Sequence, residues 1–180
     1  MESIKLKSIT YEQYKALDET EQGAYNFAFL YAKECEQRDV CNIGPLTKQT
    51  FGFVKDLQQA SQSSNIFDVV FLFFKEKVVS LNVFEYYAFY CYILEQLKFI
   101  SKLEHKELNM EQDPDAKAAG ADDFERFGPV MQIDKLAGGD VTKYDAIRNM
   151  SYEYCLTKLA LITAEYNFNT RLMRIKQNRG

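Results

Sequence analysis

The sequence predicts an all-α fold, a single compact multi-helix domain spanning residues 1–180, and three observations carry that prediction. Helix-start signals recur: Thr10 with Gln13, Asp18 with Glu21 and Asn82 with Glu85 each pair a capping side chain with a reciprocal partner three residues on. Between them apolar residues recur at intervals of three and four, the spacing of one helix face. The chain also carries 47% hydrophobic residues, among them 12 Tyr and 14 Phe, enough apolar surface to offset the entropy of folding.

In order along the chain, Ile4 and Leu6 alternate with Lys5 and Lys7, which suits a short extended arm. Thr10 opens a short helix. Asp18 opens a longer one carrying Tyr25, Phe27, Phe29, Leu30 and Ala32 and ending near Gln37. Residues 38–46 contain Gly44-Pro45 and form a connector. Thr47 is expected to start a helix to about Ala60, with Phe51, Val54 and Leu57 at spacing three, and 61–65 is a polar break. The apolar run Ile66–Phe74 has the length of a buried strand, but its setting among helices favours a short core helix.

Asn82 caps the first of two long helices, about residues 83–108, roughly 39 Å at 1.5 Å per residue. Its first half is apolar nearly all round, which places it among other helices. Residues 109–121 read as an acidic loop around Asp113-Pro114. Short helical pieces follow near 122–127 and 131–137, the second stopped by Gly138-Gly139. Asp140 or Thr142 caps another. Ser151 starts the second long helix, about 151–176, with Cys155, Leu159, Ile162, Tyr166 and Met173 on one stripe.

Net charge is −4, which disfavours a general nucleic-acid binder. The charge is unevenly placed. Glu104 to Glu125 holds eight acids against Lys106 and Lys117, whereas the tail at about 169–180 holds Arg171, Arg174, Lys176 and Arg179 and no acid. Such runs suit solvated surface and a helix end whose cations complement the dipole. They also suit an electrostatic contact in which Asp113, Asp115, Asp122 and Asp123 of one copy meet Arg171, Arg174 and Lys176 of the next, with Leu172, Met173 and Ile175 adding apolar area.

Chemistry finds little purchase. Cys35, Cys41, Cys91 and Cys155 show no CxxC spacing, and Cys91 and Cys155 sit in apolar surroundings that suit small buried hydrophobes in a reducing cytosol. His105 is the only histidine, so neither a metal cluster nor a Ser or Cys triad has its ligands or base, and an exposed helix end suits it better. Gly44-Pro-Leu-Thr-Lys48 only echoes a phosphate loop, since proline removes a donor. Asp122-Asp123 could serve acid–base chemistry, but adjacent acids at a helix start are favourable with the dipole alone. No apolar signal segment and no stretch of about 20 apolar residues is present, so membrane insertion is not expected. The sequence therefore points to no enzyme, cofactor or metal.

From Leu103 through Cys155 the order of features is distinctive: LEHKEL, an Asp-Pro loop, AGADDFERFG, then IDKLAGGDVTKYDAIRNMSYEYC leading into the long terminal helix. This segment resembles small helical proteins of the structural modules of tailed bacteriophages, especially the crAss-like phages of Bacteroidota. The resemblance implies a multi-copy head–tail connector, ring or tail-assembly protein. It would be made in the host cytoplasm, carried in the virion, and partnered by other phage structural proteins and copies of itself. A cytoplasmic helical adaptor, tail-assembly chaperone or regulator is the alternative.

Overall fold

A computed structural model describes residues 6–32, 43–109, 120, 123 and 126–178. Among these residues the chain is all-α, with nine helices and no strand: α1 Tyr11–Lys15, α2 Glu19–Ala32, α3 Phe51–Ser63, α4 Ile66–Phe73, α5 Lys75–Val78, α6 Val83–Glu107, α7 Pro129–Ala137, α8 Tyr144–Arg148 and α9 Tyr152–Gln177. Two 3-10 turns, Leu46–Lys48 and Val141–Lys143, precede α3 and α8. The two long helices are where the sequence puts them. The chain divides into two compact units, each discontinuous in sequence: Met1–Gly44 with Ala60–Leu97, and Pro45–Gln59 with Lys98–Gly180.

The first unit is built on stacked aromatic rings. Thr10 forms a complete capping box with Gln13, which fixes the start of α1 and the position of Tyr11. The Tyr11 ring lies 4.5 Å from Tyr86, 4.9 Å from Phe71 and 5.0 Å from Phe67, so α1, α4 and α6 meet on it. Phe29 on α2 stacks on Tyr87 at 4.5 Å, and Phe74 meets Phe89 edge-on at 5.2 Å. Edge-to-face and offset contacts of this kind add to the area term of burial.

Every tyrosine drawn into this core must keep its hydroxyl partnered. Tyr11 donates to Asp68 at 2.6 Å, Tyr14 to Asn26 at 2.7 Å, Tyr25 to the Lys7 carbonyl at 3.0 Å, and Tyr86 to the Phe67 carbonyl. Asn82 and Glu85 cap each other as read from the sequence, and Val83 N–H donates to the Ile9 carbonyl at 2.7 Å. The predicted arm is thus tied down over its described part; residues 1–5 lie outside the described residues, as does the predicted end of α2 near Gln37.

In the second unit α3 and α9 begin side by side. Phe51 N–H donates to the Met150 carbonyl at 2.8 Å and Tyr152 N–H to the Gln49 carbonyl at 3.0 Å, around an antiparallel bridge of Thr50 with Ser151. The first N–H groups of a helix have no acceptor within it, and here the residue just before each N-cap accepts the first N–H of the other helix. Ser151 itself makes no side-chain cap bond. The bridge corrects the predicted start of α3. Thr47 lies in the 3-10 turn, and the helix begins at Phe51 because Pro45 and the bridge at Thr50 hold the preceding residues out of helical geometry. The predicted break at 61–65 is shorter, since α3 runs on to Ser63. Pro129 opens α7 two residues before the expected Met131, as proline suits a first helical position. Gly138 stops that helix in the left-handed region at φ 67°, and Asp140 caps the next turn.

A Cβ at Gly52 would lie 2.9 Å from the Arg148 Cβ and 3.1 Å from its carbonyl oxygen, so this glycine is what lets α3 and α8 approach. Alanine gains about 1 kcal/mol of helix propensity there. Overpacking against a side-chain root and a backbone atom costs about 1–3 kcal/mol. Gly52→Ala should therefore lower the midpoint of thermal unfolding, opposite to the usual effect of the change in a helix.

In the first unit, the hydrogen bond from Tyr11, aided by Lys15 at 3.0 Å, holds the Asp68 carboxyl below its ordinary range. A depressed carboxyl stabilises the fold above its unfolded value of about 3.9, and the contribution is lost as pH falls through the folded value. Tyr11→Phe should cost about 1 kcal/mol at neutral pH. In denaturant titrations the gap between variant and parent should narrow as pH drops below about 4.

Candidate functional site

Among the described residues of the second unit, one ion pair joins a buried lysine to a largely covered carboxylate. Phe51, Lys55 and Gln58 share a face of α3 by their spacing of four and three, and the face is apolar apart from the two polar tips. Lys55 is 3% exposed. Its Nζ lies 2.7 Å from Oε1 of Glu104 on α6, and the same oxygen accepts the Tyr152 hydroxyl at 2.5 Å. Oε2 of Glu104 accepts Nε2 of Gln58 at 3.2 Å. The ammonium also stands 5.4 Å from the Phe51 ring centre and 6.0 Å from that of Tyr152, within range of cation–π attraction.

Burial lowers the Lys55 ammonium from its ordinary range, and the Glu104 charge works against that shift. Burial raises the Tyr152 phenol, and the neighbouring carboxylate raises it further. Both carboxylate oxygens are engaged by protein donors, and the cluster holds no serine, cysteine or histidine. Its chemistry is that of a tie between α3, α6 and α9. A second pair, Arg148 with Asp56 at 2.6 Å, joins α8 to α3, and Lys48 with Glu153 at 2.7 Å joins the 3-10 turn to α9. The Lys48 that echoed a phosphate loop is thus committed to an ion pair.

The sequence contained only part of this cluster in legible form. Glu104 reads as one acid in a charged helix end, and Lys55 as an ordinary surface lysine. The signal was its position four residues after Phe51 and one after Val54, inside the apolar stripe of α3. His105, next to Glu104, is exposed as expected. Cys91 and Cys155 are buried and reduced, and burial raises the thiol of Cys155. Cys35 and Cys41 lie outside the described residues. Among the described residues no three His, Cys, Asp or Glu side chains come together to hold a metal ion, and no helix is long and apolar enough to cross a membrane.

The residues expected to form an interface divide in the same way. Arg171, Leu172, Met173, Arg174, Ile175 and Lys176 all lie on the last turns of α9 and are exposed. Asp123 is exposed; Asp113, Asp115 and Asp122 lie outside the described residues, with most of the acidic loop. The predicted stripe Cys155, Leu159, Ile162, Tyr166, Met173 holds only in its first half. Cys155, Leu156, Leu159 and Thr163 are buried, Ile162 is half-buried, and Tyr166 and Met173 face solvent. Beyond Thr163 none of the described α9 side chains is buried.

The opposite face of α9 carries apolar residues along its whole length, which the stripe drawn from the sequence passed over. Tyr154, Leu161, Phe168 and Ile175 recur every seventh residue and are 68%, 49%, 59% and 49% exposed. They form an apolar row in solvent on the side of the helix turned away from Cys155, Leu156 and Leu159. No protein-family model, curated protein or solved structure matches this chain.

The buried tie has a measurable signature. Glu104→Gln leaves an ammonium that is nearly out of reach of water without its counter-charge, and should cost about 3 kcal/mol, the lower end of the range for breaking a buried pair. Lys55→Met, which keeps the volume and leaves Tyr152 and Gln58 on the carboxylate, should cost less. The double variant should be more stable than the sum of the two losses implies, and equilibrium unfolding of all four proteins gives the coupling. Additive losses would show that the two groups do not act as a pair.

Proposed function

We propose that this chain is a non-enzymatic structural or assembly protein of a tailed-phage particle. In this reading it acts in several copies as a head–tail connector or tail-ring component, and it is carried in the virion after synthesis in the host cytoplasm. The observation that carries the reading is the terminal helix. Its last turns hold Phe168, Leu172, Met173 and Ile175 in solvent beside Arg171, Arg174 and Lys176. Mixed aromatic, Met and Arg surface is the composition favoured where proteins meet. The likeness of residues 103–155 to phage structural-module proteins supplies the setting. The Lys55–Glu104–Tyr152 tie supports a scaffold role, since its lysine, carboxylate and phenol are engaged by one another and by Gln58.

Mass spectrometry of purified particles should find the chain in multiple copies. Its absence from particles, with the protein present in the lysate, would overturn the virion role and leave a transient adaptor or chaperone. Truncation after Phe168 keeps Cys155, Leu156, Leu159 and Thr163, the buried contacts of α9. That variant should stay folded by circular dichroism and lose assembly in native mass spectrometry. Assembly as complete as that of the full chain would assign the tail to solvent.

A further inference from the structure

Tyr154, Leu161, Phe168 and Ile175 lie seven residues apart on α9, and each is exposed. A period of seven drifts only about 20° per repeat on a straight helix, so the four form one seam about 32 Å long at 1.5 Å per residue. Beside them, three residues earlier at each step, stand Lys158, Glu165 and Leu172, also exposed. The two series alternate at intervals of three and four, the a and d positions of a coiled-coil seam. Such a seam is shaped for another helix, and the charges on it select which one.

Parallel, in-register pairing with a second copy would set Lys158 against Lys158 and Glu165 against Glu165, at the centre of the contact where like charges are most costly. Antiparallel pairing reverses this. With the two-fold axis at the level of position 163, Leu161 falls beside the partner's Glu165, Lys158 beside the partner's Phe168, and Tyr154 beside the partner's Leu172. Lys158 then lies about one helical turn from the partner's Glu165 across the seam, and the two-fold repeats that pair. This register repeats the Lys158–Glu165 approach twice, against a single approach of the two Glu165 side chains about four residues apart along the axis.

We propose that α9 is the self-association surface of this protein, pairing antiparallel with α9 of a second copy to give a two-fold dimer. The proposal deepens the assembly reading by naming the first partner, and it rests on the multi-copy part of that reading. Pairing of α9 with itself is favoured over a contact with the acidic segment of the next copy because the seam carries its own complementary charges. An isologous contact closes at two copies, so the dimer would be the unit added to a particle. Its strength is limited. Five half-exposed side chains offer roughly 500 Å², taking about 200 Å² for each large side chain, against about 800 Å² per partner in a standard stable interface. A reversible dimer in the micromolar range is expected.

Sedimentation equilibrium of the full chain, of Lys158→Glu, of Glu165→Lys and of the double exchange tests the proposal. Both positions are exposed, so all variants should keep the parent's circular dichroism. Each single reversal creates two like-charge contacts across the seam and should weaken the dimer by about tenfold or more. The double exchange restores both pairs and should recover the parent's affinity to within about threefold. A parent that stays monomeric at micromolar loading, single variants that dimerise like the parent, or a folded double variant that does not recover would each overturn it. Because detection of the chain in purified particles does not depend on these variants, the dimer can fail while the virion role stands, and the reverse.

Discussion

A lysine can be buried only if its charge is met on site, and the second unit is organised around meeting it. Lys55 reaches Glu104 at 2.7 Å, and the carboxylate is completed by Tyr152 and Gln58. Glu104 can receive all three donors only where α6 faces both the middle of α3 and the first residue of α9. The reciprocal backbone bonds between Gln49–Phe51 and Met150–Tyr152 set that start, so the placement of Tyr152 under the carboxylate follows from where α9 begins. Gly52 contributes by letting Arg148 come close enough to pair with Asp56. A buried pair of this kind adds little net stability compared with apolar residues of equal volume. What it adds here is register: three helices must align for its donors to be satisfied.

The first unit solves a related problem with rings. Its core is rich in tyrosine, so burying the rings means finding acceptors for hydroxyls. Tyr11 and Tyr14 use the side chains of Asp68 and Asn26, while Tyr25 and Tyr86 use main-chain carbonyls. Tyrosine is amphipathic enough to build such a core without tryptophan, and its partners hold ring positions that packing alone would leave degenerate.

Terminal helix α9 works in two registers at once. One face, through Cys155, Leu156, Leu159 and Thr163, is sealed against its own unit over the first half of the helix. The other keeps a seven-residue apolar repeat in solvent from Tyr154 to Ile175. The hydrophobic effect is indifferent to whether the covering surface belongs to the same chain. The apolar seam that α9 leaves in solvent is the surface that the proposed self-association would cover.

Local chemistry made most of the fold legible in the sequence. Thr10, Asp18, Asn82 and Asp140 announce helix or turn starts because capping is a contact over two or three residues, and Gly138 announces a stop because it takes positive φ. The start of α3 is not legible at Thr47, because the contact that decides it, Thr50 with Ser151, spans about a hundred residues. The exposure of Arg171 to Lys176 was readable from composition. Which of two apolar stripes on α9 would be buried was not, since Cys155–Leu159–Tyr166 and Tyr154–Leu161–Phe168 are equally periodic. Periodicity says that a face exists; only tertiary packing decides which face is covered, and it did so for the first stripe as far as Thr163 and not at all for the second. Lys55 is the same case in charge. Its place within an apolar stripe was written in the sequence, but a lysine there is tolerable only because the fold brings Glu104 to it from 49 residues away.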